Sequence, residues 1–242
     1  MKRKLCTLLT ALLLIVPAFA AGQHVSVDSI GLSVDVPEDF GVFTQEMDPS
    51  APQLAQFGFT YDACMQTLKD NNIVLQAIAP DQSYSVVVNV FEDSRTRGEV
   101  EYLQLSDEEL TKMAENLVAA YEKNGVSCKP ITLYTENPAA KFMRIELTGS
   151  TGDTTTPPVI QYATVVGGRG VHFTLLEPKS GAFTDEMEQT LLSVVRSAAF
   201  RADASVATET DFTPLIVIVF AIVLLGVFLR RKRRKAAAKP KE

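Results

Sequence analysis

The sequence predicts an α+β fold: a mainly antiparallel sheet with helices packed on it, followed by a single C-terminal transmembrane helix. Three observations carry that expectation. Short runs rich in Val and Ile alternate with polar residues and are joined by tight turns, the pattern of hairpin strands. Stretches with apolar residues at helical spacing interrupt these runs only three times, so βαβ crossovers are few and the helices cover a sheet built from hairpins. The chain then ends in an unbroken apolar run, Leu215 to Leu229, followed directly by basic residues.

From the N-terminus, Lys2, Arg3 and Lys4 precede a mostly apolar stretch, Leu5 to Val16, and Pro17 breaks it. Ala18-Phe19-Ala20 puts small residues where a signal peptidase reads them, so residues 1–21 read as a secretory signal peptide cleaved after Ala20 or Ala21. Cys6 lies at the start of the apolar stretch, far from the cleavage point, and leaves with the peptide. The mature chain opens with "HVSVDSIGLSVDVP", two short strands, Val25–Ser29 and Leu32–Val36, around Ile30-Gly31. "EDFGVFTQEMDPSAPQ" carries turn residues and reads as a loop. Thr60 to Asn71 is a helix, with Asp62 near its start and Asn71-Asn72 at its end. Ile73–Ala79 and Ser83–Phe91 form a hairpin around Pro80-Asp81-Gln82.

Ser106 to Asn124 gives the strongest helical signal. Ser106 and Glu109 have the spacing of a capping box, Leu105 and Leu110 that of a hydrophobic staple. Leu110, Met113, Leu117, Ala120 and Tyr121 form the buried stripe, and Gly125 ends the helix at C′. Strands follow at Lys129–Tyr134 and Lys141–Thr148, then a polar, turn-rich linker, "GSTGDTTTPP". Val159–Val166 and Val171–Leu176 flank "GGRG" as a second hairpin. The last helix, Phe183 to Ser197, has Thr184 as N-cap, acidic residues in its first turn, and Met187, Leu191, Val194, Val195 and Ala198 as its stripe.

The folded part, residues 22–201, is followed by a polar linker, 202–211, and by an uncharged segment, 212–229. Eighteen helical residues span about 27 Å against a hydrocarbon core of about 30 Å, and snorkelling arginines cover the difference. Arg230, Arg231, Lys232, Arg233, Arg234 and Lys235 then form a stop-transfer cluster at the head of a basic cytoplasmic tail, 230–242. No LPxTG-type motif precedes the apolar run, which sets aside a cell-wall sorting signal; the basic tail after it sets aside a GPI signal.

The formal charge of −6 hides an asymmetry. The first four residues carry three positive charges, and the tail from Arg230 carries eight basic residues and one acid; 12 Lys and Arg remain against 28 Asp and Glu, a net of −16. An exported domain so acidic excludes nucleic acid as a partner. The basic tail has no interleaved aromatics and suits anionic lipid headgroups.

Candidate chemistry is sparse. Cys64 and Cys128 remain after processing, as a possible disulfide or as two free thiols. A bridge would enclose 63 intervening residues and stabilise by about 4 kcal/mol. His24 lies at the new N-terminus, and His172 alternates with apolar residues in a strand, a structural setting. Glu92-Asp93 and Glu108-Glu109 sit in a turn and a helix start, and Arg95 and Arg97 beside Gly98 form a basic loop. No metalloprotease, nucleophile-elbow, CxxC or P-loop pattern occurs, so no catalytic, cofactor-binding or metal-binding residue is assigned and no cofactor is expected.

The order of elements resembles the PsbP-like family. "IGLSVDVPEDF" is similar to its opening strand running to a proline and a nearby aromatic, here Pro37 and Phe40. "SYSVVVNVF", the helix from Ser106 to Asn124, the "YATVVGGRGVHFTLL" hairpin and the closing "LLSVVRSAAF" follow in the family's order, over Ile30 to Phe200. Phe40 stands where many relatives have Trp, and the helix Thr60–Asn71 is additional. The resemblance implies a binding or assembly protein with no catalytic residues to carry over. The expectation is therefore a membrane-tethered extracytoplasmic binding or assembly module of a bacterial cell envelope, contacting lipid through its helix and tail and a protein in or outside the membrane. The alternative is a cell-surface hydrolase using acidic residues, which requires two close carboxyl groups with raised pKa in a cleft.

Overall fold

The computed structural model describes residues 22–92, 96–98, 100–151, 154–176 and 181–201. The expected signal peptide, linker, transmembrane segment and tail, with Arg230, Arg231, Lys232, Arg233, Arg234 and Lys235, lie outside the described residues. Among the described residues no helix is long and apolar enough to cross a membrane.

The described residues form two antiparallel sheets and four α-helices. Strand β1 (Gly22–Val27) turns through a short 3-10 segment, Asp28–Ile30, into β2 (Leu32–Pro37); Gly31 takes the left-handed conformation there, φ 63°, which a side chain would strain. β3 (Gly41–Thr44) is followed by helices α1 (Pro52–Phe57) and α2 (Tyr61–Asp70) and by the hairpin β4 (Ile73–Ile78) and β5 (Ser85–Phe91). A connection containing short 3-10 turns leads to α3 (Asp107–Lys123), then β6 (Val126–Cys128), β7 (Thr132–Tyr134), β8 (Phe142–Thr151), β9 (Thr154–Val166) and β10 (Arg169–Leu176). Helix α4 (Asp185–Ser197) and β11 (Ala199–Phe200) close the domain.

The large sheet runs β3-β4-β5-β10-β9-β8-β6, with β7 also on β8; β1-β2-β11 make the small sheet. The recorded pairings are all antiparallel, as the hairpin-rich sequence predicts. β10 enters between β5 and β9, so a strand late in the domain knits the two halves of the sheet together.

One face of the large sheet packs on α4 and the small sheet around Leu32, Val34, Phe142, Phe173, Leu191 and Val194. The other face carries two separate clusters. α1 and α2 cover β3–β5 through Phe43, Leu54, Phe57, Met65 and Leu68. α3 covers β6–β9 through Leu110, Ala114, Tyr121, Ile145 and Leu147.

Several local expectations are corrected. "EDFGVFTQEMDPSAPQ" contains β3 and the start of α1, both too short for periodicity to register; Pro52 in the first turn and left-handed Gly58 at the end were the available signals. Of the strand expected over Lys129–Tyr134 only β7 forms; β6 lies before it, and Pro130, which supplies no N–H to a ladder, falls between the two. β8 and β9 reach into the polar linker before Val159, to Thr151 and from Thr154; its Thr-rich sequence suits a pleated surface, and the register shifts between Leu147 and Gly149. Cys64 lies on the helix expected over Thr60–Asn71, now α2, whereas Cys128, expected between the Ser106–Asn124 helix and the next strand, lies in β6.

Candidate functional site

The gap between the two helix-covered clusters follows the centre of the large sheet. Cross-strand register places Ile73, Asn89, His172, Ala163 and Met143 in one row across β4, β5, β10, β9 and β8. The adjacent row reads Gln76, Val87, Thr174, Gln161 and Ile145. Apolar residues at the ends of these rows belong to the lobes; the residues between them, Asn89, His172, Thr174 and Gln161, are polar and at most 3% exposed. A buried polar seam thus separates the two apolar lobes.

Most of its hydrogen bonding is internal. Gln161 Nε2 donates to Thr174 Oγ1 at 2.9 Å. Asn89 Nδ2 donates to the carbonyl of Asn71, the residue that ends α2, at 2.8 Å, and ties that helix to the sheet. The His172 ring stands edge-on to Phe91 with centroids 5.1 Å apart. Two atoms are left over: Asn89 Oδ1 and His172 Nδ1 are buried without a hydrogen-bond partner, on side chains directly opposite each other. Burial holds the His172 imidazolium well below its usual range, at about 4, so the ring is neutral near pH 7. A neutral, enclosed imidazole beside an amide suits hydrogen bonding to a small uncharged polar group, ordered water being the simplest. It does not suit proton transfer, which needs a titrating group near the working pH within reach of a substrate.

Charged groups gather on the opposite face. Arg144 Nε meets Glu188 of α4 at 2.6 Å, and its Nη2 meets Glu146 at 3.2 Å; Lys129 reaches Glu146 at 2.5 Å. The hydrogen bond from Glu188 raises the Arg144 pKa most, against the cost of burial. Burial opposes ionisation of Glu146, but Lys129 and Arg144 outweigh it and hold the carboxyl below its ordinary range. Glu146 and Glu188 converge on one guanidinium, yet Glu146 is shifted in the direction opposite to a catalytic acid. Glu46 is lowered too: burial opposes, and hydrogen bonds from Ser29 and Asp28 with the charge of Arg201 prevail.

The structure leaves the other sequence candidates apart from the seam. Cys64 and Cys128 are free, buried thiols, Cys64 on the buried side of α2 and Cys128 in β6 under α3, in different clusters. Burial raises the pKa of both, that of Cys128 to about 11. Arg97 pairs with Glu92 at 3.0 Å, and Glu92 also lies 3.6 Å from Arg169 of β10; Arg95 and Asp93 lie outside the described residues. His24 bonds Asp35 at 2.9 Å on the surface. Glu109 serves the capping box, and no metal-binding cluster occurs among the described residues. Asn89, Gln161 and Thr174 were missed by sequence reasoning: a polar residue in a Val-rich strand was the signal, and its meaning depends on register.

No family model matches the sequence, and no curated protein matches it. Among solved structures the chain is similar to the solution structure of cyanobacterial PsbP (CyanoP) from Synechocystis sp. PCC 6803, at 11% identity and a TM-score of 0.41, covering 77% of this chain and 96% of that one. It is also similar to a crystal structure from Bacteroides thetaiotaomicron VPI-5482, at 10% identity and a TM-score of 0.39, covering 77% of this chain and 50% of that one. Neither likeness brings a ligand, partner or reaction with it.

Proposed function

We propose that the chain is a membrane-tethered extracytoplasmic binding or assembly module of a bacterial cell envelope. Residues 212–229 would anchor it, and Arg230 to Lys235 would hold the tail inside against anionic lipid. The observation that supports this best lies in the sequence: the uncharged segment 212–229 runs directly into six consecutive basic residues, Arg230 to Lys235, in a chain that opens with a signal-peptide pattern. The described carboxyl groups with a clear shift, Glu46, Asp48, Glu109 and Glu146, are all lowered, which favours binding over acid-dependent hydrolysis. Alkaline carbonate extraction of membranes tests the tether. The full chain should stay in the pellet and a chain ending at Arg201 should be released; extraction of both would overturn the reading.

A further inference from the structure

We infer that the pole of the domain at the β9–β10 turn lies against the lipid surface of the membrane that anchors the chain. This rests on the proposed tether. Three connections fix what that pole contains. The backbone N–H of Arg201, the last described residue, donates to Gly31 O at 2.8 Å. Arg169, at the start of β10, reaches Ile30 O at 3.4 Å, so the exit point adjoins the β9–β10 turn. On the other side of that turn, Gly167 N–H donates to Glu101 at 2.9 Å, which brings the segment 100–105 to the same pole.

The linker is short for this geometry. Ten residues, 202–211, reach at most about 35 Å when extended and about 17 Å as a relaxed coil. A domain of this size is about 40 Å across. The relaxed linker therefore cannot carry the chain around the domain, and the exit pole faces the bilayer.

The surface there suits that neighbour. Of the three large apolar side chains exposed among the described residues, Val100 (51%) and Leu103 (44%) both lie on this segment. In a domain with strong net negative charge, most of the described carboxylates of this pole are met by donors. Asp28 pairs with Arg201 at 3.3 Å, Glu92 with Arg97 at 3.0 Å, and Asp107 with Lys141 at 2.8 Å. Glu101 takes the Gly167 amide, and Glu46 takes the amides of Asp28 and Ser29. Glu108, in the first turn of α3, is an exception, and it faces the positive end of the helix dipole. Paired charges reduce repulsion from anionic headgroups, while two exposed apolar side chains gain from shallow insertion.

The chain has no tryptophan, so single reporters are unambiguous. Mature full-length protein carrying Leu103→Trp, Pro80→Trp or Phe220→Trp is reconstituted into phosphatidylcholine–phosphatidylglycerol vesicles with and without brominated acyl chains. Pro80, in the β4–β5 turn, marks the opposite pole, and Phe220 lies in the proposed span. For insertion on the order of 5–10 Å into the interface, Leu103→Trp should lose about half its emission in brominated vesicles while Pro80→Trp keeps its own. Quenching of Phe220→Trp alone would overturn this inference and leave the tether standing. Equal quenching of Leu103→Trp and Pro80→Trp would overturn it as well. Absence of quenching at Phe220→Trp would remove the tether, and the inference with it.

Discussion

Asn137 closes the end of α4 with a single side chain. Its Nδ2 donates to the carbonyls of Val195, Arg196 and Ala198, and its Oδ1 accepts from the amides of Ala139 and Ala140. Removing it leaves buried carbonyls at a helix end without partners, so Asn137→Ala should destabilise the domain by about 3 kcal/mol, measured by urea unfolding. Nothing in "ENPAA" announces this, since the carbonyls come from some sixty residues away. His172 yields a second prediction. Its pKa is about 4 folded and near 6.5 unfolded, so between those values the unfolded state binds more protons. Its contribution is complete above pH 6.5 and is lost as pH falls towards 4, on the order of 3 kcal/mol. His172→Phe should remove this part of the pH dependence, and an unchanged slope across that window would contradict the assignment.

At the scale of elements, the cysteines and Gly41 report on how helices meet the sheet. Cys64 on α2 and Cys128 under α3 are buried thiols with raised pKa values, so alkylation near neutral pH should be slow in the native domain and fast after unfolding. Non-reducing mass spectrometry should recover two unlinked cysteine peptides. Gly41 touches α1: a β-carbon there would overlap the Phe57 ring. Gly41→Ala should cost about 1–3 kcal/mol, with less than additive loss when combined with Phe57→Leu. Helices with long stripes and caps were legible in the sequence, including the Ser106–Glu109 capping box, in which both bonds form, and the Thr184 cap that accepts from Met187 N–H. β3, α1 and β6 were not, because elements of three to six residues carry too few positions for a period to stand out. Likewise, Thr-rich β8–β9 looked like linker because its strand character lies in β-branching, without the alternation of a half-buried strand.

For the whole molecule, the antiparallel sandwich followed from the ratio of hairpins to crossovers, whereas the insertion of β10 between β5 and β9 could not. Long-range strand order depends on packing partners that a local pattern does not specify. The seam was illegible for the same reason: Asn89, Gln161 and His172 are brought into neighbouring positions only by that insertion. The ends of the chain are the reverse case, since composition alone speaks there through length, charge and hydropathy. The central claim, a domain outside the membrane with its basic tail inside, is tested most directly by external protease on intact cells or protoplasts carrying a tail-tagged chain. The account predicts loss of residues 22–201 with a protected fragment containing the span and tail; a domain that survives the protease until the membrane is broken would contradict it.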